Sequence, residues 1–99
     1  MFNGKKYITK RISETIPEFL QNILWYSIEV MNVTQKDYLQ IFELTETIQN
    51  GNRKQKIIHS QENPAFKEEL IVTTNKIIIA KIYVICSKND STMLLSNDY

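Results

Sequence analysis

Two segments with β-strand character flank an Asn-Gly pair in YLQIFELTETIQNGNRKQKIIHSQ, residues 38–61. Asparagine and glycine both tolerate positive φ, which a two-residue hairpin turn requires, so Asn50 and Gly51 predict a tight hairpin. A slip of one residue would move every side chain to the other face of the sheet. The register set by this turn pairs Gln40 with Gln61, Ile41 with Ser60, Phe42 with His59, Glu43 with Ile58 and Leu44 with Ile57.

A helix is predicted before this hairpin, over residues 16–31. Apolar residues recur at steps of three and four positions in the segment 20–31, which is the period of an amphipathic helix. Thr15 and Glu18 have the spacing of a capping box at its beginning. Asn32 is a residue type that commonly follows the last helical turn, so we expect the helix to end there.

The remaining strands are predicted from β-forming composition on either side of these elements. Residues 7–12 alternate enough for a first strand, and Lys10 on its apolar side is typical of a sheet edge. Residues 77–86 are apolar on both faces except at Lys81, which predicts a central strand. The other predictions are a helical turn at 64–70, short strands at 70–73 and 92–95, and a loop at Asn89-Asp90 that places Cys86 opposite Met93 and Val84 opposite Leu95.

Together these elements predict an α+β fold, with one N-terminal amphipathic helix packed on a mainly antiparallel sheet of five or six strands. No linker, repeat or shift in composition divides the chain, so residues 1–99 are predicted to form a single domain. A chain of this length can bury roughly two-thirds of the surface that its unfolded form exposes. One modest hydrophobic core is therefore expected.

Composition disfavours nucleic-acid binding and excludes two kinds of cysteine site. The chain has 12 lysines and arginines against 11 acidic residues, a net charge of +1, whereas nucleic-acid binders usually carry a strong basic excess. Cys86 is the only cysteine, which excludes an internal disulfide and, with one histidine, a closed zinc site. The sequence shows no secretion signal and no apolar run of the about 20 residues that a membrane helix needs. We therefore expect a cytoplasmic protein without a membrane partner.

The motifs of common enzymes are missing from the sequence. Gly4 and Gly51 are the only glycines, so no glycine-rich phosphate loop can be formed. The sequence also contains no serine nucleophile elbow, no Cys-x-x-Cys pair and no histidine-rich metal motif. We therefore expect no catalytic activity, no cofactor and no metal site.

One face of the hairpin combines side chains that suit a small polar ligand. Tyr38, Gln40, His59 and Gln61 share this face, and histidine can titrate near neutral pH. The competing structural interpretation is a half-exposed histidine stacked on Phe42, with glutamines that face water. The structural interpretation is favoured, because no nucleophile or orienting carboxylate shares the face.

Aromatic residues near the N-terminus are candidates for an interaction surface. Tyr7, Trp25 and Tyr26 are the residue types that protein interfaces favour as anchors. For Trp25 and Tyr26, the structural alternative is the rim of the core between helix and sheet, with each polar tip at the surface. This alternative is favoured for both residues.

Two groups of basic residues are candidates for phosphate contact. A basic hairpin tip can hold a nucleic-acid backbone, although such charges more often keep a hairpin soluble and its edge unpaired. Binding to nucleic acid requires that the two groups converge on one surface. The N-terminal group is Lys5, Lys6, Lys10 and Arg11, and the hairpin group is Arg53, Lys54 and Lys56.

Several segments resemble a small uncharacterised family of Gram-positive bacteria, a domain of unknown function that is prominent in staphylococci. The most specific are DYLQIFEL at 37–44 and KIIHSQE at 56–62. The resemblance spans nearly the whole chain and implies a bacterial cytosolic protein of about this length, and no activity or site residue carries over from the family. The further matching segments are 7–9, 16–17, 24–25, 80–82 and 91–95.

The leading functional hypothesis from the sequence is a small non-enzymatic interaction module that binds a protein partner or itself. Sheet edges can accept an added strand through backbone groups alone, which needs no catalytic motif. One alternative is a small-ligand-binding domain that uses the face of Tyr38, Gln40, His59 and Gln61. The other is a weak nucleic-acid binder that uses the two basic groups.

Overall fold

Six strands form one mixed sheet, accompanied by two helices, in a computed structural model that describes residues 2–99. Across the sheet the strand order is β1-β6-β5-β2-β3-β4, so β1 and β4 are its edges. Neighbouring strands are antiparallel except β1 and β6, which are parallel. The predicted α+β class and the mostly antiparallel sheet are confirmed. The elements are β1 (Lys5–Ile8), α1 (Lys10–Thr15), α2 (Glu18–Val30), β2 (Leu39–Gln49), β3 (Asn52–Gln61), β4 (Phe66–Val72), β5 (Ala80–Ser87), β6 (Asp90–Leu95) and a 3-10 helix (Ser96–Asp98).

The hairpin of β2 and β3 has the predicted register. Phe42 faces His59 and the neighbouring pairs follow in step. Asn50 has φ 54° and Gly51 has φ 78°, the left-handed backbone that a two-residue turn needs to match the twist of the sheet. The turn therefore places Gln40 and Gln61 near each other, and their amides form a hydrogen bond of 2.7 Å.

The strand predicted over residues 7–12 is confirmed only at residues 7–8, because β1 covers Lys5–Ile8. The chain leaves the sheet after Ile8, and Thr9 begins α1 by accepting a hydrogen bond at Oγ1 from the backbone N–H of Ile12 at 3.3 Å. Ile12 is fully buried as part of this short helix. Ile12 is apolar because α1 places it in the core. The spacing of apolar residues in this short segment fits a buried helix face as well as a strand. The prediction that the first strand is an edge is confirmed.

The long helix predicted over residues 16–31 is α2, which begins two residues later and ends one residue earlier than predicted. Thr15 ends α1, where its Oγ1 donates to the carbonyl of Arg11 at 2.6 Å, so it forms no capping box with Glu18. Pro17 precedes the first residue of α2, which its fixed φ and missing N–H favour. Met31 already has an extended backbone, so the helix ends before Asn32.

The region between the hairpin and β5 differs most from the prediction. Residues 64–70 form no helical turn, because Phe66–Val72 pairs along its whole length with β3. Residues 77–79 precede β5 as irregular chain, so the predicted strand at 77–86 begins late. Both differences arise from pairing and burial between distant segments.

The turn between β5 and β6 lies at Lys88-Asn89, one residue earlier than predicted. Ser87 pairs with Asp90 and Lys88 has φ 53°, so Cys86 faces Ser91 and the predicted pair of Cys86 with Met93 is wrong. Val84 faces Met93 in place of Leu95. The pairing shifts by an even number of residues, so each side chain keeps its predicted face. A Cβ at Gly4 would overlap the carbonyl oxygen of Asn89, so only glycine allows the N-terminal segment to approach this turn so closely.

The two faces of the sheet differ in burial. Alternate residues of β2, β3, β5 and β6 are almost fully buried and form one hydrophobic cluster with side chains of both helices. We call this the inner face. Residues on the other side keep partial exposure, and we call it the outer face. The cluster includes Ile12, Leu20, Leu24 and Ile28 from the helices and Phe42, Leu44, Ile57, Ile82, Val84 and Met93 from the strands.

Candidate functional site

The amide of Gln61 anchors a buried polar cluster on the inner face. Its Nε2 donates to the carbonyls of Gln35 at 3.1 Å and Pro64 at 2.8 Å. Its Oε1 accepts from the backbone N–H of Asp37 at 2.8 Å. Because carbonyls only accept and a backbone N–H only donates, these contacts determine which end of the amide is nitrogen.

The orientation of Gln61 determines the protonation of His59 through Gln40. Gln40 Nε2 donates to Gln61 Oε1 at 2.7 Å and to the Asp37 carbonyl at 2.9 Å. Gln40 Oε1 therefore faces His59 Nε2, at 2.7 Å. An amide oxygen only accepts, so neutral His59 carries its proton on Nε2 and has an acceptor lone pair on Nδ1.

The surroundings of His59 keep its imidazole neutral. The ring is stacked on Phe42 at 4.4 Å between centroids, and Phe66 approaches its edge at 5.2 Å. Burial lowers the pKa of His59 to about 4, and the positive charge of Lys36 contributes in the same direction. His59 is therefore a neutral donor at Nε2 and a neutral acceptor at Nδ1 throughout the physiological range of pH.

Only three of the four residues predicted to form a ligand face come together. Gln40, His59 and Gln61 are buried and hydrogen-bonded to one another, whereas the Tyr38 side chain is half-exposed outside the cluster. The backbone carbonyl of Tyr38 accepts from the N–H of Cys86 at 2.9 Å, which joins the beginning of β2 to β5. The glutamine amides already have protein partners, so they offer little to a ligand.

A cleft of about 210 Å³ lies between α2 and β4, next to the buried cluster. Its lining is mostly apolar, and the His59 ring forms part of it. The sequence did not predict this cleft, because the cleft requires β4 to lie beside α2 and residues 64–70 were predicted as a helical turn. The residues that line it are Tyr26, Ser27 and Val30 from α2, Ile57 and His59 from β3, and Glu68, Glu69 and Leu70 from β4.

The strand β4 beside this cleft is a free edge of the sheet. It pairs with β3 along one side, and no strand within residues 2–99 pairs with its other side. All of its residues except the two terminal ones are exposed. An edge of this kind presents unpaired backbone N–H and C=O groups to solvent.

The three aromatic residues predicted as interaction anchors do not share one surface. Tyr7 lies on β1, at the edge of the sheet opposite to β4, and is half-exposed. Trp25 is partly buried, with Lys6 Nζ at 5.9 Å from its ring. Tyr26 is 62% exposed and lines the cleft. Of the three, only Tyr26 contributes to the candidate site.

The two basic groups are separated by the width of the sheet. The N-terminal group lies on β1 and α1 and the hairpin group on β3, with β6, β5 and β2 between those strands. Most of these side chains also have an acidic partner within residues 2–99, so the convergence that nucleic-acid binding requires is not favoured. The ion pairs are Lys10–Glu14 at 3.9 Å, Arg11–Asp98 at 3.2 Å, Lys56–Glu69 at 3.1 Å and Arg53–Glu46, the last with a hydrogen bond of 2.9 Å from Nε.

Residues 2–99 contain no cluster of metal ligands and no helix that could cross a membrane. No group of three or more histidine, cysteine, aspartate or glutamate side chains is placed to hold a metal ion in this part of the chain. Neither α1 nor α2 has both the length and the apolar character needed to cross a membrane.

The family model of a staphylococcal protein of unknown function (DUF960) matches residues 5–98 of the chain. The chain belongs to this family. The resemblance seen in the sequence is thereby confirmed, and no function comes with the family. No curated protein matches the chain.

A solved structure has a fold similar to that of this chain. The crystal structure of a protein of unknown function from Enterococcus faecalis is similar to the chain, with a TM-score of 0.79 and 19% sequence identity. The alignment covers 98% of this chain and 92% of that one. At this level of identity, the comparison shows that the two proteins share a fold and shows nothing about their activity.

Proposed function

We propose that the protein is a non-enzymatic interaction module that binds an extended segment of a partner protein along β4. The observation that carries this proposal is the free edge of β4 next to the cleft between α2 and β4. In strand addition the backbone of the edge supplies affinity, and neighbouring pockets for alternate side chains supply specificity. The protein combines both features on one side of the molecule.

The length and exposure of β4 favour it over β1 as the binding edge. β4 has seven residues and β1 has four, so β4 offers the longer row of backbone groups. Glu68 and Leu70 pair with His59 and Ile57, so their side chains project on the inner face towards the cleft. A strand added to β4 would therefore place alternate side chains beside this cleft.

Exposed apolar side chains around the cleft supply the anchor. Tyr26, Val30 and Leu70 are 62%, 54% and 43% exposed. They lie on both walls of the cleft, where a partner side chain would cover them together. Burial of apolar surface contributes roughly 25 cal/mol for each Å².

The chemistry of the cleft supports a binding role over a catalytic one. His59 uses Nε2 for Gln40, and its pKa near 4 makes it a weak base. The hydroxyl of Ser27 donates to the carbonyl of Ile23 at 2.8 Å, so it is not paired with His59 as an activated nucleophile.

The free thiol of Cys86 fits a reducing compartment and supports placement of the module in the cytoplasm.

Selection from a displayed library of random peptides tests strand addition. We expect selected peptides to slow hydrogen exchange of backbone amides in Phe66–Val72, because the added strand pairs with this edge. Leu70→Lys is expected to weaken binding about tenfold or more, since it replaces an apolar wall of the cleft. Ile48→Lys is the matched control, because Ile48 is an exposed strand residue outside the cleft. Selection of no peptide, or unchanged exchange in β4, would show that the proposal is wrong.

Self-association through the outer face is a second candidate. Apolar side chains form a continuous area across four strands, and the helices contribute their buried side chains to the inner-face cluster only. Partial exposure of these residues leaves apolar surface that a second copy could cover. The area consists of Leu39 and Ile41 from β2, Ile58 from β3, Tyr83 and Ile85 from β5, and Leu94 from β6.

Charge favours a second copy of the chain as the occupant of the outer face. Glu43 lies opposite Lys81 across β2 and β5, and Lys56 forms an ion pair of 3.1 Å with Glu69. The face therefore carries both signs of charge in neighbouring positions. A two-fold axis through such a face can bring positive groups of one copy onto negative groups of the other.

A further inference from the structure

We infer that the cleft between α2 and β4 binds a basic side chain with an apolar stem, a lysine or arginine of the partner strand. The inference rests on the proposed strand addition and specifies the residue that the partner must place in the cleft. It follows from the hydrogen-bonding roles of the polar groups, from their charge, and from the size of the cleft.

Three polar groups in the cleft act as acceptors, and the Tyr26 hydroxyl can accept as well as donate. His59 has its proton on Nε2, which leaves a lone pair on Nδ1. The Ser27 hydroxyl donates to Ile23, so its remaining capacity is to accept. The carboxylate of Glu68 accepts at both oxygens. A ligand that complements these groups must therefore supply donors.

His59 is the buried member of this set. Its side chain is only 4% exposed, and it lines the cleft. No group within residues 2–99 hydrogen-bonds to Nδ1. Among the fully buried side-chain nitrogen and oxygen atoms in that range, only Ser91 Oγ lacks a hydrogen-bond partner, so Nδ1 is not fully buried. Nδ1 therefore keeps some exposure, and in the proposed complex it accepts a hydrogen bond from the bound side chain.

Charge at the cleft favours a cation. Glu68 has no ion-pair partner within residues 2–99, whereas Glu69 pairs with Lys56. Lys36 is the positive group that affects His59, but its Nζ lies 3.4 Å from the carbonyl of Glu29 and it does not line the cleft. The nearest unneutralised charge at the cleft is therefore the Glu68 carboxylate.

The size and the apolar walls of the cleft favour the aliphatic part of a lysine or arginine side chain. A volume of about 210 Å³ is below that of pockets for drug-sized ligands, which begin at about 300 Å³. Val30, Ile57 and Leu70 supply apolar walls. Lysine and arginine can place their methylene groups against such walls and keep the charged head near the polar groups of the cleft.

The test replaces single groups in a peptide selected against the protein, with affinity measured by calorimetry. We expect enrichment of lysine or arginine at one position, and about tenfold weaker binding when norleucine, which keeps the stem, replaces that residue. Glu68→Gln is expected to cause a similar loss with the basic peptide and little change with the norleucine peptide. Glu43→Gln on the outer face is the matched control and should leave both affinities unchanged.

Small probes separate this inference from the proposed function. Butylammonium and N-acetyl-lysine methylamide should shift the NMR signals of His59 and Leu70, and 1-butanol should do so far more weakly. Peptides that protect β4 without enrichment of basic residues would overturn the inference and leave strand addition intact. Saturable binding of the ammonium probes without any peptide on β4 would support the cleft chemistry and overturn strand addition. No response to either class of probe would overturn both.

Discussion

At the scale of single residues, three strand glutamines act as structural connectors. Gln40, Gln55 and Gln61 are almost fully buried, and each amide bonds to backbone groups of irregular segments or to its neighbours. A buried polar group without partners is costly, so these networks favour one arrangement of the chain over its alternatives. Gln40 and Gln61 were predicted to face water or a ligand, because alternation alone does not reveal which face of a sheet is covered.

The pKa of His59 predicts how stability depends on pH. Its folded pKa of about 4 is below the ordinary value of 6.5, so between these values the unfolded chain binds a proton that the folded chain does not. The stabilisation is complete above pH 6.5 and is lost as pH falls towards 4, by up to about 3 kcal/mol. Urea unfolding across this range measures the effect.

His59→Gln is the control for this dependence, because glutamine keeps an N–H for Gln40 and does not titrate. We expect the variant to lose most of the decrease in unfolding free energy between pH 6.5 and 4. An identical pH dependence in the variant and in the natural chain would show that His59 is not the group responsible.

At the scale of elements, Gln55 attaches the irregular segment before β5 to the sheet. Its Oε1 accepts from the N–H of Ile78 at 2.7 Å, and its Nε2 donates to the Ile78 carbonyl at 2.9 Å. A second donation reaches the carbonyl of Thr45 at 2.9 Å. One side chain therefore satisfies the backbone N–H and C=O of Ile78, in a segment that has no strand pairing of its own.

Gln55→Leu is expected to lower the free energy of unfolding by about 2–4 kcal/mol, because it leaves buried backbone groups of Ile78 without partners. Urea unfolding measures the loss, and hydrogen exchange at the Ile78 amide should accelerate. Gln49→Leu, at the exposed end of β2, is the matched control and should change stability little. A similar stability for Gln55→Leu and the natural chain would contradict the assigned role.

Elements with local signals were predicted better than elements that depend on distant pairing. Asn50 and Gly51 encode the β2–β3 turn within two residues, so its register was correct. The strand β4 carries no comparable signal, because its residues 67–69 are all charged and its pairing with β3 decides its conformation. The candidate cleft needs β4 and α2 together, so no local pattern could have revealed it.

At the scale of the whole molecule, the chain forms a sheet with one face in the core and one face partly open. The parallel pairing of β1 with β6 joins the two ends of the chain, and Arg11 in α1 pairs with Asp98 at 3.2 Å. The open face carries apolar residues in its centre and paired charges beside them. This arrangement underlies the second candidate function.

Self-association through the outer face predicts a monomer–dimer equilibrium in sedimentation and light scattering across a concentration series. Ile41→Lys should shift the protein to monomer, because Ile41 lies between Tyr83 and Ser60 near the centre of this face and a lysine there would be buried without a partner. Ile48→Lys should leave the equilibrium unchanged. A monomer at every concentration would show that this candidate is wrong.

The α+β class, the β2–β3 register and the apolar stripe of α2 were predictable from the sequence, because turn chemistry and periodicity are local properties. The family was recognisable from matching segments of the chain. The tertiary structure alone decided the parallel β1–β6 pair, the burial of Gln40, Gln55 and Gln61, the tautomer of His59 and the cleft beside β4. Each of these depends on which distant groups become neighbours. A donor or acceptor therefore acquires its role in this protein only when the fold supplies its partner.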